Sequence, residues 1–273
     1  MSKLPPTMNT TKNLATAVQA ALDAGHVIME VYEAPFDVEI KEDNSPLTIA
    51  DKKANDVING YLNPTQIPII SEENKQLDYS ERKQWEYCWI VDPLDGTKEF
   101  IKRNGEFTVN IALIHLGVPK LGVIFAPYTR ELYFAATDAE TAFKVLVPET
   151  YESVDELMEM AEQIQPKSDE LQMRIVGSRS HLNDETREYI DGLATLKEKE
   201  IVSKGSSLKF CLVAEGKADV YPRFAPTMEW DTAAGQAICE AVGVHVVALP
   251  ANSPLRYNRE DLLNPWFLVT KEI

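Results

Sequence analysis

Residues 12–34 carry the first regular hydrophobic pattern in the chain. Apolar positions recur there every three or four residues, which predicts a helix with one buried face. Pro35 is predicted to end this helix, because proline lacks an N–H and fixes its φ angle. A second helix is predicted to begin after Thr48 and to continue to Leu62, since Thr48 and Asp51 have the spacing of a capping box.

Short apolar runs between turn-forming residues predict the strands of the first half. These runs are residues 38–41, 67–70, 87–91, 108–116, 121–125, 132–136 and 143–147. The last four are joined by short turns, which predicts an antiparallel meander. Residues 75–86 are predicted to form a surface loop or short helix, residues 98–105 a loop, and residues 151–164 an acidic helix.

The second half alternates between strands, polar loops and helices, which is typical of an α/β fold. Strands are predicted at 173–176, 196–202, 218–221, 244–249 and 266–270, and helices at 183–191, 208–215 and 230–241. Ligands in such folds bind at the carboxyl ends of strands. The chain is therefore predicted to have an α+β N-terminal subdomain, 1–165, and an α/β C-terminal subdomain, 166–273.

Composition restricts the classes of partner. The chain has 273 residues, of which 44% are hydrophobic and 26% charged, as in a globular protein with a large core. Its net charge of −16 argues against a nucleic-acid polymer or an anionic membrane as the main partner, because both are polyanions. A small anionic ligand remains compatible, because a bound metal ion reverses the local field.

The three cysteines, Cys88, Cys211 and Cys239, lie in apolar stretches and form no C-x-x-C pair. They are predicted to be reduced core residues, which fits a reducing compartment. Residues 1–13 lack the apolar core of a signal peptide, and no run of about 18 apolar residues is present. The sequence therefore predicts a cytoplasmic protein without an integral membrane segment, and leaves peripheral association with the inner membrane open.

Residues 92–97 read D-P-L-D-G-T and follow the apolar strand at 87–91. The chain is predicted to leave the sheet at Asp92, because the next residue is proline. Two carboxylates at the end of a buried strand repel each other unless a cation lies between them, and hard oxygen ligands suit Mg²⁺. The N–H groups of Gly96 and Thr97 could also hold an anion. An ordinary Asp-Gly turn is the alternative interpretation of this motif alone.

Further charged residues occur at predicted strand ends and loops. Glu72 and Glu73 follow the strand at 67–70, and the loop at 98–105 has three basic residues that could cover an anionic ligand, Lys98, Lys102 and Arg103. Solvated turns and solvated lysines are the alternative interpretations. Asp51 could act in catalysis, or could simply stabilise the first turn of its helix.

Three segments, taken in order, resemble the signatures of the inositol monophosphatase superfamily of metal-dependent phosphatases. They are residues 71–73 (S-E-E), 92–97 (D-P-L-D-G-T) and 230–235 (W-D-T-A-A-G). The resemblance implies a layered αβαβα sandwich. Residues 92–113, 205–216, 43–46 and 263–265 resemble the CysQ-type 3′(2′),5′-bisphosphate nucleotidases within it. Inositol monophosphatases usually carry an Asn-Phe pair where this chain has residues 98–100, K-E-F.

The resemblance implies a role for each residue that matches a family motif. The implied Mg²⁺ ligands are Glu72, Asp92, Asp95, Asp231 and the backbone carbonyl of Leu94, with Glu73 behind them. Asp51 and Thr97 match the pair that orients and deprotonates the attacking water. The implied substrate contacts are Gly96, Thr97, His181, Ser206, Lys209, Arg223 and Asp231, and the choice between Ser206 and Ser207 stays open.

The implied reaction is Mg²⁺-dependent removal of the 3′-phosphate from adenosine 3′,5′-bisphosphate (PAP), giving AMP and phosphate, in sulfate assimilation. The sulfated analogue 3′-phosphoadenylyl sulfate (PAPS) is a further candidate substrate. Two or three Mg²⁺ ions are implied, with Li⁺ as an inhibitor. The alternatives are an inositol or sugar phosphatase of the same superfamily and a non-catalytic metal or nucleotide sensor. A monomer and a homodimer are both compatible with the sequence.

Overall fold

The computed structural model describes residues 9–35, 38–40, 46–167, 171–177 and 183–271. Its helices are α1 (Thr10–Glu33), α2 (Ile49–Leu62), α3 (Tyr79–Arg82), α4 (Thr97–Ile101), α5 (Val154–Glu159), α6 (Asp184–Gly192), α7 (Leu208–Ala214) and α8 (Glu229–Glu240). Its strands are β1 (Val38–Ile40), β2 (Pro46–Thr48), β3 (Ile69–Ser71), β4 (Tyr87–Asp95), β5 (Thr108–His115), β6 (Val118–Ala126), β7 (Glu131–Ala136), β8 (Thr141–Leu146), β9 (Glu162–Ile164), β10 (Gln172–Gly177), β11 (Glu198–Ser203), β12 (Val220–Arg223), β13 (His245–Ala248), β14 (Ser253–Pro254) and β15 (Phe267–Thr270).

The first two helices form where the hydrophobic pattern predicts them. Asn9 caps α1 by accepting a hydrogen bond from the N–H of Lys12. Thr48 caps α2 in a capping box with Asp51, as the spacing of these two residues predicts. The capping box satisfies N–H groups that have no partner within the helix, and it fixes the Asp51 side chain in one orientation.

Seven strands form the first sheet, in the order β3-β4-β5-β6-β7-β8-β9. Strands β3 and β4 are parallel and the other neighbours are antiparallel, so the predicted meander is confirmed as β5 to β8. The prediction of a helix across residues 151–164 is wrong at its end. Helix α5 stops at Glu159, and β9 pairs with β8 because this buries Ile164 against the core.

The second sheet has the order β11-β10-β12-β15-β13-β14. Strand β10 runs parallel to β11 and β12, and β15 runs antiparallel to β12 and β13. The predicted alternation is confirmed, since α6, α7 and α8 each lie between consecutive strands of this sheet. Arg223, which the sequence places in a loop, is instead the last residue of β12 and pairs with Phe267.

The elements pack in five layers, helix-sheet-helix-sheet-helix, as the predicted fold class requires. Alternate residues of β4 face two different cores, which explains its uninterrupted apolar sequence: Trp89 lies in the core that contains α1 and α2, and Ile90 lies in the core that contains α7 and α8. Helix α8 crosses the first sheet at Gly122, where an added Cβ would lie 2.4 Å from the carbonyl oxygen of Ala234. Helix α6 covers the outer face of the second sheet.

The segment around the D-P-L-D-G-T motif differs from its prediction in two ways. Strand β4 does not end at Asp92 but continues to Asp95, with a register shift against β5 that accommodates the proline. Residues 98–105 are not entirely loop, because α4 begins at Thr97 and buries Phe100 in the core shared with α1. The motif therefore forms a bulged strand end followed directly by a short helix.

The prediction that the three cysteines are reduced residues of the core is confirmed. Cys88, Cys211 and Cys239 are free and buried. Burial raises the pKa of the Cys88 thiol to about 12, so this thiol is protonated at neutral pH. Among the described residues, no helix has the length and apolar character needed to cross a membrane.

Candidate metal and phosphate site

Three aspartates from distant parts of the chain meet at one end of the first sheet. Asp92 and Asp95 lie on the bulged end of β4, and Asp231 lies in the first turn of α8. One carboxylate oxygen from each lies within 4.8 Å of the others. The fold brings them together because α8 packs across β4 and β5 with its N-terminus toward the bulge.

Each of these carboxylates has one oxygen that accepts a hydrogen bond from the chain. The donors are Leu94 N–H to Asp92 Oδ1 (3.0 Å), Ser207 Oγ–H to Asp95 Oδ2 (2.7 Å) and Met228 N–H to Asp231 Oδ2 (2.7 Å). In the part of the chain that the structure describes, the second oxygen of each carboxylate accepts no hydrogen bond. Three hard oxygen atoms on three fixed carboxylates match the donor preference of Mg²⁺.

The cluster is electrostatically unfavourable without a cation. Burial raises the pKa of Asp92 well above its usual range, and the negative charges of Glu72, Asp95 and Asp231 raise it further. Burial also raises the pKa of Asp231 to about 7, with Asp95 as the next contributor. A divalent cation between these groups would remove the repulsion. The charge of Glu72 raises the pKa values of both Asp92 and Asp231, but Glu72 does not belong to the group of three clustered aspartates.

Asp51 and Thr97 form a hydrogen-bonded pair beside this cluster. The Thr97 hydroxyl lies 3.1 Å from Asp51 Oδ1 and 3.2 Å from the carbonyl oxygen of Leu94. The other oxygen of Asp51 accepts from the Thr48 N–H and hydroxyl. Burial is the largest influence on Asp51 and raises its pKa, and the nearby charge of Glu73 acts in the same direction. The pair can therefore accept a proton from a water molecule that reaches Thr97.

A cavity of about 410 Å³ opens next to the aspartates. Asp95, Gly96 and Asp231 line one side of it, where the acidic cluster lies. Its walls also carry four cationic side chains, Lys102, Lys204, Lys209 and Arg223, together with two carboxylates, Glu99 and Glu106. We call the side formed by Lys102, Lys204, Lys209 and Arg223 the cationic wall. A cavity that joins an acidic cluster suited to a metal ion with a cationic wall suits a ligand with more than one anionic group.

Two adjacent serines at this cavity have different environments. Ser207 is bonded to Asp95, whereas the Ser206 hydroxyl is buried without a partner. Across the described residues, the buried side-chain atoms that lack a partner are Ser206 Oγ, Arg223 Nε and Thr227 Oγ1. All three residues line this one cavity. Because a buried polar group is costly when it is unpaired, these atoms indicate that a polar ligand completes the site.

The structure groups most residues that the sequence singles out. Asp95, Gly96, Ser206, Lys209, Arg223 and Asp231 all line the cavity. Lys102 does so too, but Arg103 does not: its guanidinium donates hydrogen bonds to the carbonyl oxygens of Tyr32 and Ala34 at the end of α1. His181 and residues 43–45 lie outside the described residues.

Several residues of the site are absent from the sequence-based prediction. Lys204 and Thr227 line the cavity, and Asn110 contacts Asp95. Lys204 directly precedes the G-S-S segment at 205–207, which is a weak signal in the sequence. Nothing in the sequence singles out Asn110 or Thr227, because their places in the site follow from strand register and from the path of the chain before α8.

Comparison with known proteins gives one consistent result. Residues 9–269 match the model of the inositol monophosphatase family. The chain is 47% identical to 3′(2′),5′-bisphosphate nucleotidase CysQ of Salmonella typhimurium, over 94% of this chain and 99% of that protein. It is 48% identical to the CysQ protein of Escherichia coli K12, over 92% and 97% of the two chains. The crystal structure of CysQ from Bacteroides thetaiotaomicron superposes with a TM-score of 0.85 at 51% identity, covering 96% of this chain and 98% of that one.

Proposed function

This chain belongs to the inositol monophosphatase family, and we propose that it is a 3′(2′),5′-bisphosphate nucleotidase. Its reaction is removal of the 3′-phosphate from PAP, with AMP and phosphate as products. The relatives at 47–48% identity, which carry this activity in their names, support the assignment. One cavity carries it structurally, because the cavity joins the acidic cluster to the cationic wall.

Enzymes of this family are metal dependent, and the aspartate cluster fits a divalent cation. We propose Mg²⁺ as that cation, with Glu72, Asp92, Asp95, Asp231 and the Leu94 carbonyl as its ligands. Bound Mg²⁺ supplies Lewis acidity, lowers the pKa of the attacking water and neutralises charge on the phosphate. The oxygens that accept no hydrogen bond from the chain support this role for Asp92, Asp95 and Asp231.

Asp51 and Thr97 move the proton in the proposed reaction. Thr97 Oγ accepts a proton from the attacking water while it donates its own proton to Asp51 Oδ1, 3.1 Å away. The bonds from Thr48 hold Asp51 in place for this transfer. Burial raises the pKa of Asp51, which makes its carboxylate a stronger base than an exposed aspartate. Glu73 supports this by its negative charge.

The substrate is oriented by its two phosphates. The phosphate that reacts lies at Asp95 and Asp231, against the N–H groups of Gly96 and Thr97 at the start of α4. The second phosphate lies against Lys209 and Arg223, with Ser206 as a hydroxyl donor. Arginine suits this role because its guanidinium binds phosphate with two parallel hydrogen bonds. The unpartnered Ser206 Oγ and Arg223 Nε support both assignments. His181 is a further proposed nucleotide contact.

Other parts of the proposal follow from the resemblance and from composition. PAPS is a second substrate, two or three Mg²⁺ ions bind, and Li⁺ inhibits by replacing one of them. The protein acts in sulfate assimilation in the cytoplasm, which the three buried free cysteines support. It is a monomer or homodimer.

The chain divides into subdomains 1–165 and 166–273, and the sheets support this, since β9 ends at Ile164 and β10 begins at Gln172.

The test is phosphate release from PAP and from inositol 1-phosphate, measured side by side in Mg²⁺ and in EDTA. We expect a strong preference for PAP, and no release in EDTA. A preference for inositol 1-phosphate would keep the metal site but contradict the assignment of the cationic wall. Equal rates in Mg²⁺ and EDTA would contradict the metal mechanism itself.

A further inference from the structure

Two side chains outside the proposed metal and substrate contacts converge on a single oxygen of Asp95. Ser207 Oγ lies 2.7 Å from Asp95 Oδ2, and Asn110 Nδ2 lies 3.3 Å from the same atom. Both residues are buried, with 2% and 1% of their surfaces exposed. Because Oδ2 receives both donors, Oδ1 is the Asp95 oxygen left for a cation.

Ser207 also lies between the two elements that carry the aspartates. Its Oγ lies 2.8 Å from the backbone carbonyl oxygen of Asp231, in the first turn of α8. A hydroxyl has one proton, and the charged carboxylate of Asp95 is the stronger of the two acceptors. The Ser207 proton therefore goes to Asp95, and the bond to the Asp231 carbonyl oxygen is an alternative that cannot form at the same time.

Asn110 is itself fixed in one orientation. The Thr108 hydroxyl donates to Asn110 Oδ1 at 3.0 Å, and because a carboxylate only accepts, the amide group that faces Asp95 is the NH₂. Asn110 Nδ2 then donates to Ser207 Oγ at 2.8 Å and toward Asp95 Oδ2. The strand register brings these residues together, since Thr108 pairs with Asp95 across β4 and β5. The result is a directed chain of donors that ends on one oxygen of Asp95.

We propose that Ser207 and Asn110 are positioning residues for the metal site. They present Asp95 Oδ1 to a divalent cation by binding its other oxygen, Oδ2. This inference rests on the proposed function, because it takes Asp95 and Asp231 as ligands. It also gives the two adjacent serines separate roles, since Ser206 faces substrate and Ser207 holds a metal ligand.

The test measures Mg²⁺ binding to the complete chain by isothermal titration calorimetry, without substrate. Hydrogen-bond partners of metal ligands typically change metal affinity by roughly 10- to 100-fold. We expect Ser207→Ala to weaken Mg²⁺ binding by about that factor. Asn110→Ala is expected to weaken Mg²⁺ binding by a smaller factor, because its bond to Asp95 is longer. In the double variant, the factor by which binding weakens is expected to be smaller than the product of the two single factors, because both residues act on the same oxygen.

The matched control is Tyr133→Phe, which also removes a buried hydroxyl bonded to a carboxylate. Tyr133 donates to Glu215 at 3.2 Å, outside the cavity that the aspartates line. This variant is expected to keep the wild-type Mg²⁺ affinity. Chemical denaturation in EDTA gives the stability of each variant independently of the metal.

Wild-type Mg²⁺ affinity in both Ser207→Ala and Asn110→Ala would overturn the inference, whatever their stability. An equal loss of affinity in Tyr133→Phe would also overturn it, because the effect would then follow from general loosening. Wild-type hydrolysis of PAP is measured separately. If the wild-type protein does not hydrolyse PAP, the proposed function is contradicted. A loss of Mg²⁺ affinity in Ser207→Ala and Asn110→Ala would still support the positioning role in that case.

Discussion

Replacing Asp51 by asparagine should lower activity without lowering stability. Asparagine is nearly the same size, and its carbonyl oxygen can accept the two bonds that Thr48 donates, at 2.8 and 2.7 Å. Its NH₂ group then donates to the Thr97 hydroxyl, which can in turn donate to the Leu94 carbonyl oxygen, 3.2 Å away. Every hydrogen bond of the wild-type side chain therefore has a replacement, and only the proton acceptor is lost.

General base catalysis typically contributes a factor of about 10² to 10⁴ in rate. At 1.36 kcal/mol for each factor of ten, this corresponds to about 3–5 kcal/mol of transition-state stabilisation. We expect kcat for PAP to fall by this factor in Asp51→Asn. The Mg²⁺ affinity should stay close to that of the wild type, because Asp51 is not among the three clustered aspartates.

The free energy of unfolding of Asp51→Asn should rise at neutral pH, although its kcat falls. Burial raises the pKa of Asp51 in the folded protein above the ordinary value of an aspartate, so the folded protein binds this proton more tightly than the unfolded chain does. This tighter proton binding stabilises the folded protein fully at pH values below the pKa of Asp51 in the unfolded chain. The stabilisation is lost as the pH rises through the pKa of Asp51 in the folded protein. At neutral pH the charged carboxylate therefore destabilises the fold, and asparagine removes this cost.

The assay combines kcat in Mg²⁺ with urea denaturation in EDTA at pH 7 and pH 4. Asp219→Asn is the matched control, because Asp219 accepts bonds from the backbone N–H and guanidinium of Arg174, away from the cavity. The control should lose about 1–3 kcal/mol of stability and keep its activity. The reasoning is refuted if Asp51→Asn retains wild-type kcat, or if it is destabilised at pH 7 as much as Asp219→Asn.

Three further predictions address other parts of the molecule. Arg223→Gln should lower kcat/KM for PAP by about 10- to 100-fold, as expected for charge-assisted bonds worth about 1.5–3 kcal/mol, while Arg187→Gln on the exposed surface of α6 should leave it unchanged. Lys144→Met should lower the free energy of unfolding by about 1–3 kcal/mol with normal kcat, because Lys144 bridges Glu131 and Glu215. Gly96→Ala should reduce activity, because the φ of +92° is unfavourable for alanine and its Cβ would lie 3.1 Å from the Glu106 carbonyl oxygen; an active variant with normal stability would contradict this.

Local sequence signals predict the elements best where packing agrees with them. The capping box of Thr48 and Asp51 correctly marks the start of α2, and the turns between apolar runs correctly give the meander from β5 to β8. The predictions fail where tertiary contacts outweigh local preference. Strand β4 continues past Asp92 because β5 supplies a partner strand with a bulge, and Ile164 joins a strand because β8 lies beside it.

The site shows the same division. The motif residues can be found in the sequence because the reaction needs carboxylates next to tight turns, and the structure brings Asp92, Asp95 and Asp231 together. The second layer around them cannot be found in this way. The contact of Asn110 with Asp95 depends on the register of β5 against β4, and Ser207 differs from Ser206 in its backbone conformation and in the partner of its hydroxyl, which adjacent identical residues do not reveal in the sequence.

The central claim is that this chain removes a 3′-phosphate while a second phosphate binds the cationic wall of the cavity. It is tested most directly by comparing kcat/KM for PAP with that for 3′-AMP, which lacks the 5′-phosphate, and by identifying the products. We expect PAP to be preferred by about 10²- to 10⁴-fold, the value of two charge-assisted contacts, from Lys209 and Arg223, and 5′-AMP to be its product. Equal kcat/KM values for the two substrates, or 3′-AMP as the product from PAP, would contradict the account.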